Sequence, residues 1–282
     1  MTEYDPVDPQ VALTIAGSDS GGGAGIQADL TAMTAHGVFG TAVVTATTAQ
    51  NTRGVADVNP LPADHVASQY AAVAEDFDVA AVKTGMLATA EIVERVTELA
   101  AAADAPLVVD PVMVAATGDR LLSPAAEDAY EELIATATLV TPNADEAAVL
   151  TGEPVETPAD AEAAGRALVA LGADAALVKG GHLDGESVDG GVVVDTLVRA
   201  DGAGGGEAGL TVDRFETPRI DTDATHGSGC ALSSAIAARL ARGESVREAV
   251  GVAVEEMTEA VRRGYDVGRG SGAVNPTVLG EE

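Results

Sequence analysis

Six short apolar runs rich in β-branched residues recur along this chain: VALTIAG (11–17), AVVTATTA (42–49), VAAVKTG (79–85), PLVVDPV (106–112), ATLVTPN (137–143) and AALVKGG (175–181). Runs of this length suit strands buried on both faces, which is the environment of a parallel sheet. Ala-rich amphipathic stretches fit between them as helices. Ser123 with Pro124 and Thr157 with Pro158 each pair an N-cap residue with proline at the first helical position, and Ser245 with Glu248 matches a capping box. Strand–helix alternation over most of the length predicts an α/β fold of three layers around a central, mostly parallel sheet. From Val192 to Glu216 the pattern changes, because two strand-like runs flank ADGAGGGEAG (200–209), which reads as a hairpin tip. No repeat or linker interrupts the pattern, so residues 1–282 read as one domain with a flexible segment at 1–10 and a tail at 268–282.

With 46% hydrophobic residues but only 2% aromatic ones and no Trp, the core must be filled by Ala, Val and Leu. There are 45 acidic residues against 15 basic ones, a net charge of −30, and Lys83 and Lys179 are the only lysines. The acids are spread along the chain, so the surface repels phosphate backbones and nucleic acid is not an expected partner. An acidic, lysine-poor surface on an ordinary core points to life in high salt, where screening limits self-repulsion. The single cysteine, Cys230, excludes an intrachain disulfide and a cysteine-based zinc cluster. MTEYDPVDPQ at the start is not a secretory leader, and no run reaches the roughly 18 apolar residues that span a bilayer. The expected location is the cytoplasm, with no membrane contact.

Polar and glycine residues gather where the strand runs end: Gly17-Ser18-Asp19, Gln50-Asn51-Thr52, Lys83-Thr84-Gly85-Met86, Asp110-Pro111, Asn143 and Lys179-Gly180-Gly181-His182. Ligands of parallel α/β sheets bind outside the carboxyl ends of the strands, so this recurrence predicts one shared site. GSDSGGGAGIQAD (17–29) approximates a dinucleotide-binding turn, but no Asp or Glu lies between Asp29 and Asp57 to hold a ribose, and no Walker A loop is present. The remaining readings are a tight strand–helix turn or close backbone approach to a small ligand. Asn143 and Glu146, three apart at a helix start, could face a hydrated Mg²⁺ together or simply cap the helix. Lys179 beside two glycines suits a nucleotide phosphate; Lys83 has a similar setting, and either could equally be a structurally paired lysine. His226 and His182 read as loop residues near a ligand.

DTDATHGSGCALSSAIAARL (221–240) passes from a glycine loop into a helix at Cys230. The free N–H groups and dipole of a helix's first turn favour an anion, and a cysteine there is expected to have its pKa lowered. The same stretch also reads as a buried free cysteine after an ordinary glycine turn.

Together, ALTIAGSDSGGGAGIQADL (12–30), TAQNT (48–52), KTGML (83–87), DPVM (110–113), TPNADEAAVLTG (141–152), LVKGGH (177–182) and THGSGCALSSAIA (225–237) resemble the hydroxymethylpyrimidine and phosphomethylpyrimidine kinases of thiamine biosynthesis, in the ribokinase-like superfamily. The resemblance runs from residue 12 to about 265. It departs at the longer 200–209 tip and in the tail, where Arg269 and Ser271 stand at positions expected to be histidine; no second thiamine-pathway domain is expected. It implies an ATP- and Mg²⁺-dependent kinase acting on the hydroxymethylpyrimidine and then on its monophosphate. The Gly227-Ser228-Gly229-Cys230 backbone would hold the transferring phosphoryl group, and Cys230 would take the hydroxyl proton. Gln50 would read the pyrimidine, with Gly17, Asp19, Met86 and Val112 completing the pocket. Asn143, Glu146 and Asp110 would position Mg²⁺, while Lys179, Asp110 and Asn143 would serve the nucleotide. A homodimer is expected. A pyridoxal kinase of the same superfamily and a non-catalytic pyrimidine or nucleotide sensor are the alternative readings.

Overall fold

The computed structural model describes residues 6–113, 124–182, 191–200 and 209–281. The expected cap Ser123 and residues 201–208 of the expected hairpin tip lie outside them. Among the described residues nine strands form one sheet in the order β3-β2-β1-β4-β5-β6-β7-β8-β9. The strands are β1 (Val11–Ser18), β2 (Phe39–Asn51), β3 (Gly54–Pro60), β4 (Val79–Thr84), β5 (Leu107–Val109), β6 (Leu139–Val140), β7 (Ala175–Val178), β8 (Val192–Ala200) and β9 (Leu210–Pro218). From β2 to β7 every pairing is parallel, as the apolar runs predict. Both edges are antiparallel: β3 folds back on β2, and β8 and β9 form the hairpin read from the sequence. The turn at 51–54 is therefore a hairpin tip between β2 and a strand that the sequence reading leaves out.

Eight helices are described: α1 (Gly25–Ala35), α2 (Ala63–Ala74), α3 (Ala90–Ala101), α4 (Pro124–Ile134), α5 (Ala144–Thr151), α6 (Pro158–Ala170), α7 (Ser228–Ala241) and α8 (Val246–Arg262). Thr157 and Ser245 cap α6 and α8 in full capping boxes with Asp160 and Glu248. The strands split their side chains between two cores with period two. Ala12, Ala81, Val108 and Leu177 join α1, α7 and α8 on one face. Leu13, Ile15, Val82, Val109 and Ala176 join α2, α3, α4 and α6 on the other. Three layers result, each core built from small and branched side chains worth about 1.5–3 kcal/mol apiece for a Val, Leu or Ile. The expected tail is part of this packing, since Val274, Val278 and Leu279 are buried in the α7–α8 core.

Candidate active site

Because β1 lies between β2 and β4, the chain leaves β1 in one direction and returns on its other side, which opens a crevice at the carboxyl ends of the central strands. A cavity of about 740 Å³ occupies it. Residues from the ends of β1, β2, β4, β5, β6 and β7 line it, together with the first turn of α7, so the strand-end clusters do converge. The residues to which the resemblance gives site roles all line this cavity: Gly17, Asp19, Gln50, Met86, Asp110, Val112, Asn143, Glu146, Lys179 and Gly227 to Cys230.

One end of the cavity is the turn at the start of α7, expected from the sequence to bind an anion. Thr89, Asn143, Thr157 and Ser245 cap α3, α5, α6 and α8 with side-chain oxygens, whereas α1, α2 and α7 begin with no side-chain cap, α7 at Gly227. The Ser228 N–H donates to the Thr225 carbonyl at 3.1 Å, and the Gly229 and Cys230 N–H groups meet the cavity without a side-chain cap. Gly227 is left-handed at φ 80°, and a Cβ there would collide with the carbonyl oxygen of Gly23, so two glycine turns pack backbone to backbone. Cys230 is only partly buried at this turn. Its thiol is not lowered as expected. Burial pushes it up to about 11, the Lys83 ammonium opposes that, the charges of Asp29 and Asp110 add to it, and a hydrogen bond from the Gly25 N–H opposes it. Desolvation is the largest contribution, and two nearby carboxylates add to it.

The opposite wall is apolar. Met86 packs with Ala46 and Ala88, and Val112 lies against them. Gly17 is in contact with the Met86 side chain, and Thr45 Oγ1 donates to the Met86 carbonyl at 2.6 Å, which fixes the loop. Gln50 stands at the rim, its Oε1 accepting from Thr48 Oγ1 at 3.1 Å. Asp19 organises the glycine turn. It accepts from the N–H groups of Gly21 (2.7 Å), Gly23 (3.1 Å) and Ala24 (2.9 Å), and it lies 3.1 Å from His226 Nε2. Burial raises the Asp19 carboxyl, but these hydrogen bonds outweigh it and hold the group below the usual range. His226 thus ties the substrate-side loop to the residue before Gly227, and its Nε2 is also 3.4 Å from Gln50 Nε2. His182 closes a short 3-10 turn, and its side chain lies outside the described residues.

A lysine–carboxylate cluster lies between these walls. Lys179 Nζ donates to Asp110 Oδ1 at 2.9 Å and lies 4.0 Å from Glu146 Oε2. Thr141 Oγ1 also donates to Asp110, at 3.1 Å. A Cβ on Gly229 would sit 3.1 Å from Lys179 Nζ, so the ammonium abuts the start of α7. Asn143 and Glu146 form a reciprocal capping box at the start of α5, 2.8 Å in each direction. The helix-cap reading of this pair therefore holds. Burial raises the Glu146 carboxyl to about 7, Lys179 opposes this and Asp110 adds to it. Among the described residues no group of three or more His, Cys, Asp or Glu forms a ready cation cage. A buried carboxylate with uncompensated charge beside a second one still suits Mg²⁺, which keeps several waters and takes one or two protein carboxylates plus phosphates.

Sequence reasoning missed Asp195 in the middle of β8. It accepts from the Gly180 N–H at 2.7 Å and is pushed up to about 6 by burial. A lone acid within VVVDTLV was the available signal. Val254, Met257 and Val261 of α8 also line the cavity, but their helical spacing is indistinguishable from an ordinary core face.

A family model described as phosphomethylpyrimidine kinase matches residues 19–275. The hydroxymethylpyrimidine/phosphomethylpyrimidine kinase of Streptomyces coelicolor is 49% identical over 271 residues, 96% of this chain and 95% of its own length. That of Haemophilus influenzae is 42% identical over 268 residues, 93% of this chain and 95% of its own. Among solved structures, pyridoxal kinase of Bacillus subtilis in an ADP complex superposes with a TM-score of 0.84 at 33% identity, covering 96% of this chain and 99% of that one. Pyridoxal kinase of Staphylococcus aureus with AMP-PCP and pyridoxal gives 0.83 at 32%, covering 98% and 96%. Phosphomethylpyrimidine kinase of Clostridium difficile gives 0.73 at 40%, covering 89% and 99%. The chain belongs to the phosphomethylpyrimidine kinase family, kinases of the ribokinase-like fold.

Proposed function

We propose that this chain transfers the γ-phosphoryl group of ATP to the hydroxymethyl oxygen of 4-amino-5-hydroxymethyl-2-methylpyrimidine and then to the resulting monophosphate, supplying the diphosphate used to make thiamine diphosphate. The observation that carries the reading is the uncapped first turn of α7, with Cys230 in it and Lys179 against it, facing an apolar wall of Met86 and Val112. The flat ring rests on that wall, and Gln50 offers a donor and an acceptor to its ring nitrogen and amino group. The Gly227–Cys230 backbone and Lys179 hold the phosphates, so catalysis is chiefly positioning and charge stabilisation. Asp110 and Glu146, with Asn143 holding Glu146 in place, would hold Mg²⁺ through water; when bound it neutralises phosphate charge. The hydroxyl oxygen bonds to the γ-phosphorus as the bond to the β,γ-bridging oxygen breaks and ADP leaves. The hydroxyl proton passes to the Cys230 thiolate, whose own proton has gone to solvent.

The two steps differ in what they ask of Cys230. The second acceptor is a phosphate whose second pKa is about 6, so above neutrality it has no proton to surrender. Cys230→Ala is expected to lower kcat for the first phosphorylation by about 10²–10⁴ and for the second much less, with ATP affinity unchanged. Equal losses in both steps, or full turnover in the first, would remove the base role. With a thiol at about 11, first-step kcat/KM should also climb between about pH 7 and 9.5, because the thiolate fraction grows throughout that window.

Pyridoxal is the second reading, and the solved pyridoxal kinases that superpose at TM-scores of 0.83 and 0.84 favour it as a side activity. Competition between pyridoxal and the hydroxymethylpyrimidine in molar KCl separates the two. Absence of substrate-stimulated ATP turnover would instead leave a sensor. We also read the protein as a single kinase domain working in a salt-rich cytoplasm as a homodimer, without nucleic-acid or membrane partners; no described helix is long and apolar enough to cross a membrane.

A further inference from the structure

Below the floor of the cavity lies a charged cluster to which the phosphoryl-transfer steps assign no role. The Asp29 carboxylate of α1 receives Lys83 Nζ of β4 on both oxygens, at 2.9 and 3.0 Å. Thr14 Oγ1 of β1 donates to one oxygen at 2.7 Å, and Ser234 Oγ of α7 to the other at 2.8 Å. Four elements therefore meet on one carboxylate, and both side chains of the ion pair are 0% exposed. Dehydrating a lysine and an aspartate costs several kcal/mol per ion, which the pair recovers only with saturated hydrogen bonding. Such a cluster is expensive to keep for packing alone.

Its placement suggests what it serves. Ser234 is four residues after Cys230, so the two lie one turn apart on the same face of α7. The Lys83 ammonium is tucked beneath Gly85, where a Cβ would be 2.9 Å from Nζ, and Lys83 contributes to the cavity wall without reaching solvent. The charged groups that act on Cys230 are Lys83 from β4, Asp29 from α1, Asp110 after β5 and Lys179 after β7. Lys179 is 14% exposed and would be engaged by phosphate, while the Lys83 side chain is 0% exposed and already held by Asp29. We propose that Lys83, pinned by Asp29, Thr14 and Ser234, is a positioning residue for phosphoryl transfer: a fixed counter-charge that steadies the thiolate formed at Cys230. The proposal rests on Cys230 being the proton acceptor.

Because Cys230 is the sole cysteine, the pH dependence of its alkylation by iodoacetamide reports its ionisation directly in the intact enzyme. Asp29→Asn keeps the shape and removes the opposing negative charge, so the alkylation midpoint should move to lower pH. Adding Lys83→Met to Asp29→Asn removes the counter-charge without stranding an aspartate. The midpoint should then move up by about one unit or more relative to Asp29→Asn, a tenfold change in thiolate at fixed pH. First-step kcat should fall with it while KM for ATP holds. Purely structural roles do not predict shifts of opposite sign. Equal midpoints in the two variants, or an upward shift in Asp29→Asn, would overturn the proposal. If the double variant does not fold, Asp29→Asn alone decides, since an unmoved midpoint overturns it as well. The midpoints read the counter-charge and Cys230→Ala turnover reads the base, so failure of one is distinguishable from failure of the other.

Discussion

Lys83 and Lys179 each hold an aspartate at 2.9 Å, and each sits near the end of a parallel strand, yet the two pairs stand on opposite sides of the cavity wall. Lys83 and Asp29 are sealed at 0% exposure, with two hydroxyls completing the carboxylate's partners. Lys179 and Asp110 are 14% and 2% exposed and share their neighbourhood with Glu146, leaving two carboxylates around one ammonium. In the sealed pair both carboxylate oxygens are saturated with donors. The open cluster carries one more carboxylate than it has cations, and the proposed function gives it the phosphate and the cation. The same two residue types thus give either a strut or a receptor, depending on what else reaches them.

The largest expected effect comes from breaking the strut. Lys83→Met leaves a dehydrated aspartate unpaired and should cost about 3–5 kcal/mol of stability. For a chain of this size that lowers Tm by roughly 10 °C, read by circular dichroism. Lys179→Met should cost less stability than Lys83→Met, because Glu146, already raised to about 7, can keep its proton beside Asp110, and the variant should lose about 10²-fold in kcat/KM for ATP. Matching stability losses in the two variants would erase the distinction between strut and receptor.

A smaller effect is expected at Glu146. Its folded-state value of about 7 lies above the ordinary 4.5. For a raised carboxyl, the stabilising share is complete below the unfolded value and is lost as pH rises through the folded one. Glu146→Gln should therefore gain Tm relative to the parent at about pH 8 and gain less at about pH 5, by a few degrees. A gain larger at the acidic pH would contradict the sign.

Salt should give the gentlest slope. Raising KCl shortens the Debye length from roughly 10 Å at 0.1 M to about 3 Å at 1 M, so self-repulsion among the surplus acids relaxes and Tm should rise across that interval. The penalty of Lys83→Met should stay constant over the same range, since a dehydrated pair is out of reach of mobile ions. A Tm that stays flat or falls between about 0.1 and 2 M would rule out salt adaptation.

The inner strands were legible because burial on both faces writes itself as unbroken Val, Ile and Ala. Strand β3 was not legible, since GVADVNP is an edge strand whose exposed positions carry Asp, Asn and Pro. The cavity's location could be read from glycines and polar residues at successive strand ends, because the topology carries those ends to one side. The partner of Lys83 could not be read: Asp29 is 54 positions away, and its place at the end of the glycine turn motif says nothing of a lysine in β4. The direction of the Cys230 thiol was misread for a related reason. A helix start is visible in sequence, whereas the burial that chiefly raises the thiol, and the two carboxylates that add to it, are not.

Every residue lining the main cavity lies between Ala16 and Val261, yet two of its walls are fastened by the segment beyond α8. Arg269 and Gly270 donate their N–H groups to Thr52 at the tip of the β2–β3 hairpin that carries Gln50. Gly272 and Val274 pair with the backbone of His226, next to the turn that starts α7. A ribosome that has made the chain through α8 has therefore translated the whole active site but none of its fastening. Full kinase activity should arise only once residues 268–279 have emerged, since 268–274 fasten two walls and Val274, Val278 and Leu279 complete the α7–α8 core, so a nascent chain arrested before them should be catalytically silent.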